Sequence, residues 1–319
     1  MGTDGSGLVS IIIVNWNTRD ILLQCLDSVY RTSKETLCEV IVVDNASTDG
    51  SADAVSQHFP DVSIVRNDKN VGFAAANNLA IKAARGEYLL FLNPDTVVCG
   101  DAISEMRDFL AKDKEVGAVG CRLANADGST QESYWFSFPC RRWLLEKVIY
   151  WNKVTQRISK KSNKLQEPFP VAHLLGACIM CPASLVKQLS GFDESYFLYL
   201  EETDLCWRIR EAGYAVFHLP GASVIHYGQQ SSNQAAEWAS LELYRNTYRF
   251  IRGHSRWQMA SRLLTQWIIA MLAIVRVLLW TVRRITGVGN PDTARRMTMG
   301  FWRLLLAVPG FERECKRRV

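Results

Sequence analysis

Four short apolar runs, separated by segments of helical spacing, constrain this chain more than any other feature. Val9 to Asn15 (VSIIIVN), Glu39 to Asp44 (EVIVVD), Ser63 to Arg66 and Glu87 to Leu92 (EYLLFL) read as strands. Their near-continuous apolar character, rather than alternation, is that of strands covered on both faces. Arg19 to Arg31 carries Ile21, Leu22, Cys25, Leu26 and Val29 at helical spacing, and Asp49 to His58 and Ala74 to Ala84 read as two further helices. The order β-α-β-α-β-α-β predicts an α/β fold with a doubly wound, mostly parallel sheet and right-handed crossovers. In such sheets ligands sit beyond the carboxyl ends of the strands. Polar residues gather there: Asn15 and Asn17, then Asp44, Asn45 and Ser47, then Asn93 and Asp95.

The rest of the chain is less regular. Cys140 to Pro170 mixes eight basic residues with Trp143, Leu144, Leu145, Val148, Ile149, Tyr150 and Trp151, a basic amphipathic excursion. Structured patterns return over 171–230, with a helix from about Glu202 to Ala212 ended by Gly213. After Ser232 the spacing is helical to the end, broken near Gly287 to Pro291. The expected division is residues 1–232 as a catalytic domain and 233–319 as a helical, basic extension.

Charge follows the same division. From Arg245 onward, 15 Lys and Arg face three acids, a local net charge of +12 in a chain whose total is +5. An acidic body with a basic, Trp-bearing tail suggests a soluble head and a tail drawn to anionic surfaces. Nine scattered cysteines, an odd number, and no signal-peptide pattern at the start suit reduced thiols in the cytosol.

Four segments carry the chemistry: VVDNASTDGS (Val42 to Ser51), FLNPDT (Phe91 to Thr96), FLYLEETDLCWRIREAGY (Phe197 to Tyr214) and VIHYGQQSS (Val224 to Ser232). Together and in this order they resemble the family 2 glycosyltransferases of GT-A fold, most of all their rhamnosyltransferase branch of bacterial cell-wall and O-antigen enzymes. The resemblance covers about residues 8 to 232. It implies a Rossmann-like nucleotide-binding half and a nucleotide-sugar donor.

Site residues follow from the same resemblance. Asp44 matches the acid that binds the nucleotide base, and a carboxylate accepting from a base imino N–H is a credible specificity device. Asn45 and the backbone near Asn15 would line that pocket. Asn70, Gly72, Asn77 and Asn78 match a segment beside the nucleotide, where Gly72 permits close backbone approach; a helix start capped by Asn70 is the favoured reading, with ligand contact incidental to it. Asn93-Pro94-Asp95 stands where the family has its Asp-x-Asp metal motif. The first acid is Asn here, so Asp95 is the candidate ligand, with His226, for Mg²⁺ or Mn²⁺ bridging the donor diphosphate.

Glu201 and Glu202 match the acidic pair that supplies the catalytic base in inverting enzymes. Glu202 aligns with the base. A Glu where Asp is commoner moves the carboxylate by about 1.5 Å, so Glu201 stands as second candidate. Acids in a first helical turn also simply complement the helix dipole, which accounts better for Asp204. Gly176 and Ala177 resemble a segment near the acceptor, Trp207 is either core or a sugar platform, and Arg208 is expected to be structural. Cys178-x-x-Cys181 lacks a second pair or nearby His, so zinc is not implied. Met1-Gly2 with Ser6 formally fits an N-myristoylation pattern, which means nothing in a bacterial protein.

Leu263 to Val282 is long enough to span a bilayer, yet Gln266 and Arg276 interrupt it and Arg at mid-span is costly. Flanking arginines and Trp257, Trp267 and Trp280 suit a helix lying in the membrane interface. A packed hairpin, closing a core or a homo-oligomer interface, is the alternative. The expected activity is inverting transfer of L-rhamnose from dTDP-β-L-rhamnose to a polyprenyl-diphosphate-linked sugar, by a peripheral protein at the cytoplasmic membrane face. A UDP-sugar transferase or a silent sugar-nucleotide-binding subunit are the alternatives. A dehydrogenase is disfavoured because the first βα turn has no G-x-G-x-x-G. Nucleic acid is disfavoured because no binding module accompanies the charge.

Overall fold

The computed structural model describes residues 7–33, 36–148, 166–228, 236–254, 259–287 and 290–317. Most of the basic excursion, residues 149–165, lies outside the described residues, as do Gln229 to Ser232 of the loop after His226. The chain divides into two compact units. One comprises Met1–Phe138, Leu165–Phe197 and Glu201–Ser231; the other comprises Pro139–Lys164, Leu198–Leu200 and Ser232–Val319.

The elements run β1 (Val9–Asn15), α1 (Arg19–Thr32), β2 (Cys38–Asp44), α2 (Ser51–His58), β3 (Ser63–Arg66), α3 (Phe73–Ala83), β4 (Tyr88–Leu92), β5 (Thr96–Cys99), α4 (Ala102–Lys112), β6 (Val116–Ala124), β7 (Tyr134–Trp135), α5 (Arg141–Val148), β8 (Phe169–Pro170), β9 (His173–Leu174), β10 (Cys178–Pro182), α6 (Ala183–Gln188), α7 (Glu201–Glu211), β11 (Ala215–His226), α8 (Ala236–His254), α9 (Met259–Thr286), α10 (Pro291–Ala307) and α11 (Phe311–Arg317).

In the first unit the main sheet is ordered β3-β2-β1-β4-β10-β6-β11-β5, with β8 added beside β11. The pairs β3–β2, β2–β1, β1–β4 and β6–β11 are parallel. Strand β10 is antiparallel to both β4 and β6, and β5 is antiparallel to β11. The sheet is therefore mixed, with a parallel half where the βα repeat predicts one. β1 shows why its residues form a doubly covered strand. Val9, Ile11 and Ile13 join one core with Leu22, Leu26, Val55 and Met106, while Ile12 and Val14 join the other with Ala74, Ile81, Leu205 and Ile209. Helices α1, α2 and α4 cover the first face, and α3, α6 and α7 the second.

Asn78 holds the loop that leads towards α7. Its amide donates to the Phe192 carbonyl at 2.8 Å and accepts from the Phe192 N–H at 2.8 Å, a two-way pairing with one backbone residue. It also donates to Glu194. A Cβ at Gly191, which has φ +72, would lie 2.3 Å from Asn78 Oδ1, so Gly is required beside this clamp.

The second unit is helical. Tyr244, Tyr248, Ile268, Ile269, Leu272, Phe301, Leu304 and Phe311 form its core with Leu144 of α5. Glu312 accepts from Tyr248 Oη at 2.7 Å and pairs with Arg252 and Arg262. Asn246, fully buried, donates to the carbonyls of Leu198 and Tyr199, and Tyr199 and Leu200 both have positive φ. α9 contains the one stretch among the described residues long and apolar enough to cross a membrane by length and composition, Arg262–Thr286, with mean hydropathy 2.0. One side of it is in the core. Leu263, Trp267, Leu278, Val282 and Ile285 on the other side are exposed, as are Trp302 and Leu306 of α10.

Asn78→Ala removes both partners of a buried backbone N–H and C=O, at about 1–3 kcal/mol for each group left unsatisfied. A lowered urea midpoint at unchanged slope is expected; an unchanged midpoint would show that the clamp carries no stability.

Candidate functional site

The carboxyl ends of β1 and β2 build the first part of the site. Asp44 ends β2 and is buried. It accepts from Asn15 Nδ2 at 3.2 Å and from the Ser47 N–H at 3.2 Å. Asn15, wholly buried, also donates to Ser47 Oγ and accepts from Thr18 Oγ1 at 2.6 Å. Asn15 thus orients Asp44 rather than offering a free amide. The loops here hold φ of 53° at Asn17 and 64° at Ala46, conformations that cost non-glycine residues energy and gather at ligand sites.

Asn45 and Asn70 bond to each other and to the backbone of the 67–72 loop. Asn45 Nδ2 donates to Asn70 Oδ1 at 2.8 Å, and Asn45 Oδ1 accepts from the Val71 N–H and Asn67 Nδ2. Asn70 Oδ1 also accepts from the Gly72 N–H. The Asn45 amide and Asn70 Oδ1 stitch the 67–72 loop to the end of β2, and none of these bonds uses Asn70 Nδ2. Gly72 has φ +89, and a Cβ there would lie 2.7 Å from the Phe197 carbonyl oxygen. The close approach that the glycine permits is therefore to Phe197, whose carbonyl accepts from the Phe73 N–H at 2.7 Å. Asn77 is buried within α3 and donates to the Phe73 carbonyl. This bond ties its side chain back to the first turn of its own helix.

Asp95 and His226 meet across strand pairing. β5 and β11 pair with Thr96 opposite His226, and the Tyr227 N–H donates to the Asp95 carbonyl. Asp95 Oδ1 lies 3.4 Å from His226 Nε2, and both side chains are about nine-tenths buried. The carboxylate oxygen and imidazole nitrogen form a mixed O/N donor pair of a kind that borderline divalent cations accept. Among the described residues no group of three or more His, Cys, Asp or Glu could hold a metal, so any cation here needs ligands from elsewhere, and diphosphate oxygens are suited to that. Asn93 contributes its backbone: its N–H donates to the Ala177 carbonyl, and its own carbonyl accepts from Thr96 Oγ1. The sequence reading missed Gln131, whose side chain bonds both the ring and the carbonyl of His226. No local motif marks it, because its partner is 95 residues away.

The Asn93–Ala177 bond also brings the acidic pair to this end of the sheet. β10 begins at Cys178 opposite Leu92, so Gly176 and Ala177 lie beside the exit of β4. A Cβ at Gly176 would come within 3.3 Å of Glu202 Cγ, which places Glu202 against the segment bonded to Asn93. The Ala177 side chain belongs to the core, 1% exposed, while its carbonyl accepts from the Asn93 N–H. Trp207 is half-buried and packs edge-on against Phe138 at 4.8 Å, in an aromatic group with His173 and Trp135. Arg208 is structural as expected: it pairs with Asp204 at 2.6 Å and donates to the carbonyls of Leu189 and Gly191. Cys178 and Cys181 point into opposite core faces of β10, which rules out their acting as a pair.

The two glutamates differ electrostatically. Burial, then the neighbouring charge of Glu202, pushes the Glu201 carboxyl well above the ordinary range. Its Oε2 has no hydrogen-bond partner among the described residues. Burial therefore favours the protonated form of Glu201. Glu202 is the more accessible residue of the two, although its Oε2 is buried as well.

The family model for glycosyl transferase family 2 matches residues 10–189, more than half of the chain. This chain belongs to glycosyl transferase family 2. The N-acetylglucosaminyl-diphospho-decaprenol L-rhamnosyltransferase of Mycobacterium tuberculosis is 28% identical over 234 residues, 68% of this chain and 76% of that protein. Rhamnosyltransferase WbbL of Escherichia coli is 23% identical over 252 residues, 76% of this chain and 92% of that protein. Among solved structures, the mannosyltransferase PcManGT from Pyrobaculum calidifontis, in complex with GDP-Man and Mn²⁺, aligns with TM-score 0.58 and 18% identity over 94% of this chain and 85% of that one. GalNAc-T7 with UDP, GalNAc and Mn²⁺ aligns with TM-score 0.53 and 16% identity over 69% of this chain and 43% of that one. These likenesses establish the GT-A fold, and the family establishes a glycosyltransferase.

Glu202→Gln should lower kcat by about 10²–10⁴-fold, the usual contribution of a general base, while Glu201→Gln keeps most of it. Glu201 binds a proton in the folded state that the unfolded chain has already lost above the ordinary carboxylate range. Stability of the native protein therefore falls as pH rises through that window, and less steeply in Glu201→Gln. Equal kinetic losses in the two variants would remove the distinction drawn here.

Proposed function

We propose that this glycosyltransferase transfers L-rhamnose with inversion, from dTDP-β-L-rhamnose to a hydroxyl of a polyprenyl-diphosphate-linked sugar. The observation that carries the reading is the placing of Glu202, through Gly176, Ala177 and Asn93, at the sheet end that also holds Asp44 and the Asp95–His226 pair. The rhamnosyltransferase relatives support the donor sugar and the lipid-linked acceptor. Asp44, oriented by Asn15, would accept from the imino N–H of thymine.

Asp95 and His226 are the residues that would hold Mg²⁺ or Mn²⁺. When bound, such a cation neutralises charge on the departing diphosphate. Glu202 takes the proton from the acceptor hydroxyl, whose oxygen forms the new bond to the anomeric carbon. The bond from that carbon to the diphosphate oxygen breaks, and the diphosphate leaves with the electron pair. Attack from the face opposite the leaving group inverts the centre, and holding donor and acceptor together supplies much of the acceleration.

The tail fits the acceptor. The exposed apolar side of α9, with Trp267, Leu278, Val282 and Ile285, and Trp302 and Leu306 of α10, would enter the interface of the cytoplasmic leaflet. Arg283, Arg284, Arg295 and Arg296 would meet its anionic head groups. This is peripheral attachment, which brings a soluble catalytic unit to a lipid-borne substrate.

Transfer from dTDP-rhamnose to N-acetylglucosaminyl-diphospho-polyprenol should be abolished by chelation. It should fall about 10²–10³-fold in kcat/KM in Asp95→Ala, the scale of losing one group that stabilises leaving charge. Activity with UDP-sugars alone, or none with any donor, would overturn the assignment. The full chain should float with anionic liposomes, and the double substitution Trp267→Glu with Trp302→Glu should abolish flotation. Failure of the native chain to float would exclude the membrane surface.

A further inference from the structure

We propose that Gln131 is a positioning residue that fixes the tautomer of His226, through a chain of hydrogen bonds whose direction is set at Asp127. This rests on the reading of His226 and Asp95 as the cation-holding pair. The chain starts on the turn after β6. Asp127 Oδ1 accepts from Ser129 Oγ at 2.6 Å and from the Ser129 N–H at 2.9 Å. Those bonds, the side-chain one first, hold its carboxyl below the usual range. An ionised carboxylate only accepts, so the Ser129 hydroxyl proton points at Asp127 and its oxygen is left to accept.

Each following bond then has one allowed direction. Asn125 Nδ2 donates to Ser129 Oγ at 2.7 Å, which turns Asn125 Oδ1 towards Gln131. Gln131 Nε2 donates to that Oδ1 at 2.7 Å and to the His226 main-chain carbonyl at 2.8 Å. A main-chain carbonyl cannot donate, so the amide orientation of Gln131 is fixed by two separate acceptors. Both amide hydrogens are then used. Gln131 Oε1, 2.9 Å from His226 Nδ1, must accept, and Nδ1 must carry the proton.

The consequence falls on the other ring nitrogen. In the neutral imidazole, Nε2 then presents its lone pair, and it does so 3.4 Å from Asp95 Oδ1. Two electron-rich atoms facing each other in a mostly buried setting repel unless a cation or proton lies between them. With the opposite tautomer, Nε2–H would donate to Asp95 and the pair would satisfy itself. Gln131 thus keeps the pair open to a cation at the cost of that internal bond. Metal-binding histidines commonly depend on such a partner at the second nitrogen, and its loss weakens metal binding about 10–100-fold. The backbone holds the relay in register, since the Gln131 N–H donates to the Leu123 carbonyl at the end of β6.

The test uses the full chain with ¹⁵N-labelled histidine. Long-range ¹H–¹⁵N correlation spectra of the metal-free protein, with His226 assigned by its loss in His226→Gln, should show the Nδ1–H form. In Gln131→Met that preference should be lost, and Mn²⁺ binding in the presence of dTDP, followed by electron paramagnetic resonance, should weaken about 10–100-fold. Gln131→Glu retains an oxygen acceptor for Nδ1–H and should restore the tautomer and most of the affinity. An Nε2–H ring in the native protein, or native Mn²⁺ affinity in folded Gln131→Met, would overturn the proposal. If the native ring is Nδ1–H but Mn²⁺ with dTDP does not bind, the cation assignment fails while the tautomer clamp stands.

Discussion

The insertion of one antiparallel strand, β10, between β4 and β6 is the constraint on which the site depends. Its five-residue pairing with β4 and the bond from the Asn93 N–H to the Ala177 carbonyl fix where the chain enters β10. That entry point carries Gly176, and Gly176 carries Glu202 against it. An antiparallel strand starts where its parallel neighbour ends, so a residue leading into β10 necessarily lies at the carboxyl end of β4. A fully parallel sheet would have put Gly176 at the opposite edge, far from Asp44. The metal-type pair depends on the second antiparallel join, β5 against β11, which sets His226 beside Asp95.

The site is held by polar residues that bond to one another and to the backbone. Asn15 orients Asp44, Asn45 and Asn70 tie the 67–72 loop to β2, Asn78 fixes the segment towards α7, and Gln131 aligns His226. Buried amides suit this work because each offers donors and an acceptor in fixed geometry, and leaving one unsatisfied is costly. The chemistry-bearing acids are few by comparison. Placing one of them, Glu201, in a buried position favours its protonated form and leaves Glu202 as the more accessible acid beside it.

Much of the first unit was legible in the sequence because its information is local. Apolar runs such as VSIIIVN and EVIVVD, and the helical spacing of Arg19 to Arg31, each mark one element without reference to distant residues. The GT-A fold followed from their order and from the motifs around Asp44, Asp95 and Glu202. The antiparallel strands were harder. β10 reads as an apolar pentapeptide whose neighbours are decided by pairing across more than fifty residues, which no periodicity reports. The same blindness hid Gln131, and it hid which bonds the side chains of Asn45, Asn70 and Asn77 make within the protein, since sequence does not show their partners. The bond from the Asn93 N–H to the Ala177 carbonyl was hidden for a related reason, since sequence does not report backbone pairing. In the tail, helical spacing was plain, but which side of α9 is covered depends on α10 and Phe311, and only the structure resolves that.

A single base on one side of the anomeric carbon and a held diphosphate on the other is the centre of the proposed mechanism. The anomeric configuration of the product reports on it most directly. With dTDP-β-L-rhamnose as donor, proton NMR of the purified disaccharide product should show an α-linked rhamnose, the outcome of one in-line displacement. A β-linked product would mean retention, and would contradict the role assigned to Glu202 and the geometry built around it.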